Sequence, residues 1–104
     1  MASSKEYLGF ILEQLQELDG VTFRPMMGEY IIYLNGKIVG GIYDDRFLVK
    51  TTPSSEKMLS QREIPYDGAK EMFLVDNVDD KQFLKTLLEA MFPELPNPKK
   101  KNKG

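Results

Sequence analysis

The sequence predicts an α+β domain: an antiparallel β-meander packed by an N-terminal and a C-terminal helix, with a short middle helix. Three observations carry that prediction. Two segments, near residues 5–18 and 80–91, repeat apolar side chains at helical spacing. Between them lie short runs rich in β-branched and aromatic residues, punctuated by two-residue turn signals. The chain has 104 residues, 41% hydrophobic and 29% charged, which suits one domain with one modest core. Strands joined by such short turns are antiparallel. Two amphipathic helices then need a sheet face to cover, which makes a two-layer arrangement.

The first helix is expected from Lys5 to Leu18. Ser3 stands three residues before Glu6, the spacing of a capping box. Tyr7, Leu8, Ile11, Leu12, Leu15 and Leu18 form its apolar face, and Gly20 ends it. Val21–Arg24 has strand composition and is expected to stop at Pro25. Glu29–Leu34 is the next strand, followed by Asn35-Gly36, a strong hairpin signal. A two-residue loop there sets Leu34 opposite Lys37, Tyr33 opposite Ile38 and Ile32 opposite Val39. Gly40-Gly41 predicts a bulge or a close backbone approach. Asp44-Asp45 marks another tight turn, and Arg46–Lys50 returns as a third strand of the meander.

Beyond Thr51 the pattern changes. Pro53-Ser54-Ser55-Glu56 opens a short helix with Met58 and Leu59 as its apolar pair. Residues 60–70 read as a loop around Pro65, Asp67 and Gly68. Glu71–Val75 reads as a short edge strand, a place where a second copy adds a strand in a weak homodimer. Asn77 or Asp79 caps the last helix, whose face is Phe83, Leu84, Leu87, Leu88 and Met91. Pro93, Pro96 and Pro98 stop it. The folded domain is thus expected over 1–95, with 96–104 as a disordered lysine-rich tail.

The composition excludes several chemistries. With no cysteine there is no disulfide, thiolate metal site or cysteine nucleophile, and with no histidine no histidine-based triad. The N-terminal MASSKEYLGF lacks an apolar run behind a basic region, and apolar stretches such as Tyr30–Leu34 fall far short of the roughly 20 residues of a membrane span. A cytoplasmic location is the expectation. Lys99, Lys100, Lys101 and Lys103 sit in the tail, leaving 10 basic and 16 acidic residues in 1–95. Such a body offers phosphates little attraction, so any nucleic-acid binding is expected from the tail, weak and sequence-blind. The glycines match no phosphate-loop order. Asp44-Asp45 and the acids of residues 76–80 lack calcium-loop spacing and serve as turn and helix cap. No catalytic group, metal ligand set or cofactor site is readable, and an enzyme is not expected.

Some residues stand out as binding candidates. Lys50 ends a strand, where a lysine either snorkels to water or fixes a ligand. Arg24, Met26, Met27, Gly28 and Tyr30 form an unusual run between strands. Its methionines serve either as core filler or, with Tyr33, Tyr43 and Tyr66, as an adaptable surface for a protein partner. Arg24, Tyr33, Lys50 and Tyr66 together would suit a small anionic ligand.

The stretch RPMMGEYIIYLNGKIVGGIYDDRFLVK, from Arg24 to Lys50, resembles the signature of the TfoX N-terminal domain family. Arg24, Met26, Gly28, Tyr33, Gly36, Asp44-Asp45 and Lys50 take the places of that pattern. IPYDGAKEMFLVDNVDD and the terminal helix extend the resemblance to residues 3–95. Met27 stands where phenylalanine is expected, and Glu29 and Ile31 where glycines are common. The family includes the TfoX/Sxy regulators of natural competence in bacteria, which carry a second, helix-rich domain, so this chain resembles a stand-alone short form. The resemblance implies helices packed on an antiparallel sheet. It also implies a non-enzymatic regulatory role, exerted on transcription through a protein partner.

Overall fold

The computed structural model describes residues 4–96. Helix α1, Lys5–Gln14, is capped by Ser4, whose hydroxyl accepts the Tyr7 amide at 3.1 Å. The expected cap, Ser3, lies outside the described residues. The helix stops short of Leu18 because the chain tightens into i→i−3 bonds, from Gln16 to Glu13 and from Leu18 to Leu15. Leu15 and Leu18 stay buried in those turns. Apolar spacing reported their burial correctly and overstated the helix.

Six strands follow: β1 Val21–Met26, β2 Glu29–Leu34, β3 Lys37–Ile42, β4 Phe47–Val49, β5 Arg62–Glu63 and β6 Met72–Leu74. They form one antiparallel sheet in the order β1-β2-β3-β4-β6-β5. Helix α2, Pro53–Met58, lies between β4 and β5, and α3, Lys81–Met91, ends in a 3₁₀ turn at Phe92–Glu94. This is the expected α+β class.

Four local readings need correction. First, β1 runs through Pro25 to Met26. Met26 and Glu29 close a two-residue turn as the pair nearest it, so their neighbours Pro25 and Tyr30 form a pair that needs no amide from proline. Second, Leu34 does face Lys37 and Tyr33 does face Ile38, but Ile32 faces Gly40. Val39 is the extra residue of a bulge, fully buried. Gly40 is placed where a Cβ would stand 2.0 Å from the Leu48 carbonyl oxygen, so the β4 backbone demands glycine there. Third, β6 is interior, flanked by β4 and by β5. A two-residue strand such as β5 shows no alternation, and residues 60–70 therefore read as loop. Fourth, the cap of α3 is Asp80, which accepts the Phe83 amide at 3.0 Å.

Three hairpin turns have positive φ at both central residues: Met27-Gly28, Asn35-Gly36 and Asp44-Asp45. All suit the right-handed twist of the strands. The helices cover one sheet face, where Ile32, Val39, Ile42, Phe47, Val49 and Phe73 pack against Ile11, Leu15, Leu84, Leu87, Leu88 and Met91. Helix α2 is held by a buried capping box of Thr52 and Ser55, and Ser54 donates to Glu94 at 2.6 Å across to the end of α3. No helix among the described residues is long and apolar enough to cross a membrane.

Candidate functional site

Side chains alternate across a strand, so the buried pair Phe47 and Val49 places Leu48 between them on the other face. Leu48 faces Gly41 on β3 and Leu74 on β6. No helix among the described residues covers this face. It is occupied instead by Tyr43 and by the 64–71 loop, whose Pro65 is buried. A Cβ on Gly41 would stand 2.8 Å from the Tyr43 ring, so that ring rests on glycine backbone. The Tyr66 ring lies 6.1 Å from it, tilted by 52°.

Between this face and the loop is a cleft of about 470 Å³, lined among others by Ile38, Tyr43, Lys50, Tyr66, Lys70 and Met72. Lys50 is positioned through its backbone. Its amide donates to Val39 at 2.9 Å, and its carbonyl accepts the Ser55 hydroxyl at 2.8 Å. Burial raises the pKa of Tyr43 above the usual phenol value, helped by nearby Tyr66 and Glu29, so the phenol keeps its proton and remains a donor.

The candidate residues do not gather in one place. Lys50 and Tyr66 share this cleft, whereas Arg24 and Tyr33 line a shallower depression of about 380 Å³ with Thr22, Phe23 and Gly36. Met26, Met27 and Gly28 form the tip of the β1–β2 hairpin, where Met27 is 96% exposed. Tyr30 packs against the covered core and meets Phe23 edge to face at 5.9 Å. Lys70 belongs to the cleft although nothing in its aperiodic loop marked it. Phe23 was likewise unmarked, since its strand pattern hides how little covers it. Among the described residues no group of three acidic, histidine or cysteine side chains is placed to hold a metal ion. The lysines of the expected tail, 99 to 103, lie outside the described residues.

The profile of the TfoX N-terminal domain family matches residues 13–90, which include the whole sheet and most of the cleft. This chain belongs to the TfoX N-terminal domain family. A relative from Spirochaeta aurantia, described as an uncharacterized 12.7 kDa protein in the trpE 5′ region, is 33% identical over 102 residues. That alignment covers 95% of this chain and 89% of the relative. No solved structure matches the chain. Within this TfoX N-terminal domain, the aromatic, glycine and acidic positions of the Arg24–Lys50 stretch supply a hairpin tip, two close backbone approaches and one wall of the cleft.

Proposed function

We propose that this TfoX N-terminal domain is a non-enzymatic regulatory module that acts through a protein partner, as the competence regulators of its family suggest. The observation that carries the reading is the β1–β2 hairpin. Among the described residues strand β1 pairs only with β2, which leaves its other edge open to them, and none of its residues is fully buried. Phe23 is 44% exposed beside that edge, and Met27 stands at the tip. An open edge with an exposed aromatic and a methionine is suited to an extended segment of another protein, which adds a strand and seats side chains on Phe23 and Met27. Arg24 is exposed on the same strand with no charged partner among the described residues, which favours an acidic segment. Pro25 offers no amide, so pairing is confined to the half of the edge nearer Val21. The acidic balance of residues 1–95 speaks against direct nucleic-acid binding by this body.

The test compares proteins captured by the wild-type chain and by a Phe23→Asp, Met27→Asp double variant in the native cell. The expected result is a partner whose capture falls at least about tenfold in the variant, together with slowed amide exchange at Val21 and Phe23 in the purified complex. Transcript changes on deletion should be restored by the wild type and not by the variant. Equal capture by both chains overturns the reading. Capture of a second copy alone makes the edge a homodimer contact and overturns it too.

A further inference from the structure

We infer that the cleft between the helix-free sheet face and the 64–71 loop binds a small amphipathic organic anion, a carboxylate joined to a compact apolar or aromatic body. Its volume of about 470 Å³ is within the range of small-molecule sites. Its walls join two chemistries. Ile38, Met72 and the exposed Tyr66 ring supply apolar and stacking surface, while Lys50, Lys70 and Tyr43 supply donors.

The donors point to an anion. Among the described residues neither the Lys50 nor the Lys70 ammonium group has a hydrogen-bond or ion-pair partner. Glu71 also lines the cleft, and its carboxylate is paired with Arg62 at 3.8 Å. A body with 10 basic and 16 acidic residues thus keeps two unmatched ammonium groups at one cleft. Tyr43 is the second, independent sign. Its side chain is only 7% exposed and lines the cleft, yet its hydroxyl has no hydrogen-bond partner among the described residues. A buried donor without a partner is costly. A ligand carboxylate in the cleft can accept from this hydroxyl while also meeting Lys50.

The site is also partly rigid before any ligand arrives. Gly41 lets the Tyr43 ring lie on the strand, and the backbone of Tyr43 is paired with Arg46 in both directions at 2.9 and 3.0 Å. The backbone of Lys50 is tied to β3 and to α2. Tyr66 and Lys70 come from the loop and close the other side. This proposal is independent of the hairpin reading, because Phe23 and Met27 line no part of the cleft.

The probes are phenylpropionate, its neutral alcohol phenylpropanol, and inorganic phosphate, each titrated into the full chain by calorimetry and by resonance shifts. Phenylpropionate should bind saturably at millimolar concentration and shift the Tyr43 and Tyr66 signals. Lys50→Met and Tyr43→Phe should each weaken it by about tenfold, and the exposed Lys70→Met should weaken it less without touching the fold. A Phe23→Asp, Met27→Asp chain should bind it as the wild type does. Equal affinity for phenylpropanol, tighter binding of phosphate, unchanged affinity in both Lys50→Met and Tyr43→Phe, or no saturable binding each overturns the proposal.

Discussion

Strands β1 and β4 belong to one antiparallel sheet and live in different worlds. Phe47, Leu48 and Val49 of β4 are all fully buried, whereas no residue of β1 is. Phe47 is 0% exposed and Phe23 is 44%. The cause is layering. Helices α1 and α3 cover the centre of one face, Tyr43 and the 64–71 loop cover Leu48 on the other, and β1 lies beyond both covers. The difference teaches where this small domain keeps its stability and where it exposes surface. Burial removes apolar area from water only where two layers meet, so the centre holds the fold. The rim keeps unpaired backbone and apolar side chains that a partner can use.

The sharpest way to break that comparison is to truncate both phenylalanines. Phe47→Ala should destabilise the domain by about 3–5 kcal/mol in urea unfolding, and Phe23→Ala by well under about 1 kcal/mol. Similar losses would mean that the rim carries the fold as much as the centre does. Next in size is Gly40→Ala, which drives a methyl into the Leu48 carbonyl and should cost about 3 kcal/mol. Gly9, inside α1, has nothing within 4 Å of its would-be Cβ. Gly9→Ala should therefore stabilise by up to about 1 kcal/mol, raising the thermal midpoint.

At the rim itself, Met27 has φ 52° in a turn where asparagine or glycine is favoured. Met27→Asn should stabilise by about 0.5–1 kcal/mol, while weakening capture of the proposed partner. A gain in stability with undiminished capture would remove Met27 from the contact. The smallest effect concerns pH. Ser54 donates both hydroxyl and amide to Glu94, at 2.6 and 3.0 Å, and these bonds hold the carboxyl below its ordinary range. A depressed folded value contributes stability above the unfolded value, lost as pH falls through the folded one. Because Glu94 is on the surface, the slope is small, and Glu94→Gln should flatten it on the acid side. An unchanged acid limb in thermal melts would show that the Ser54 contact is not maintained in solution.

Much of the fold was legible in local pattern. Leu84, Leu87, Leu88 and Met91 announced the buried stripe of α3, and Asn35-Gly36 set the first two pairs of its hairpin correctly. Reading failed where the deciding atoms come from elsewhere in the chain. The bulge at Val39 depends on β4 lying against Gly40, and turn chemistry at residue 35 carries no knowledge of that. The strand at 72–74 looked like an edge because the two residues of β5 that cover it are too few to alternate. The candidate site was legible in part. Strand-end position marked Lys50, and Tyr66 was marked with Tyr33 and Tyr43 as part of a tyrosine surface. Lys70 and the unpartnered hydroxyl of Tyr43 acquire meaning only through burial and neighbours, which a single position does not carry.

By itself, the sequence determined the α+β class, the helix stripes, the turns at Asn35-Gly36 and Asp44-Asp45, and the exclusion of cysteine and histidine chemistry. These follow from side-chain period, backbone preference at glycine and asparagine, and composition, all of which are local. The order β4-β6-β5, the bulge, the bareness of β1 and the meeting of Lys50, Lys70, Tyr43 and Tyr66 were decided by tertiary structure. They depend on contacts between residues distant in sequence, where packing and backbone hydrogen bonding select among arrangements that local preference leaves equal.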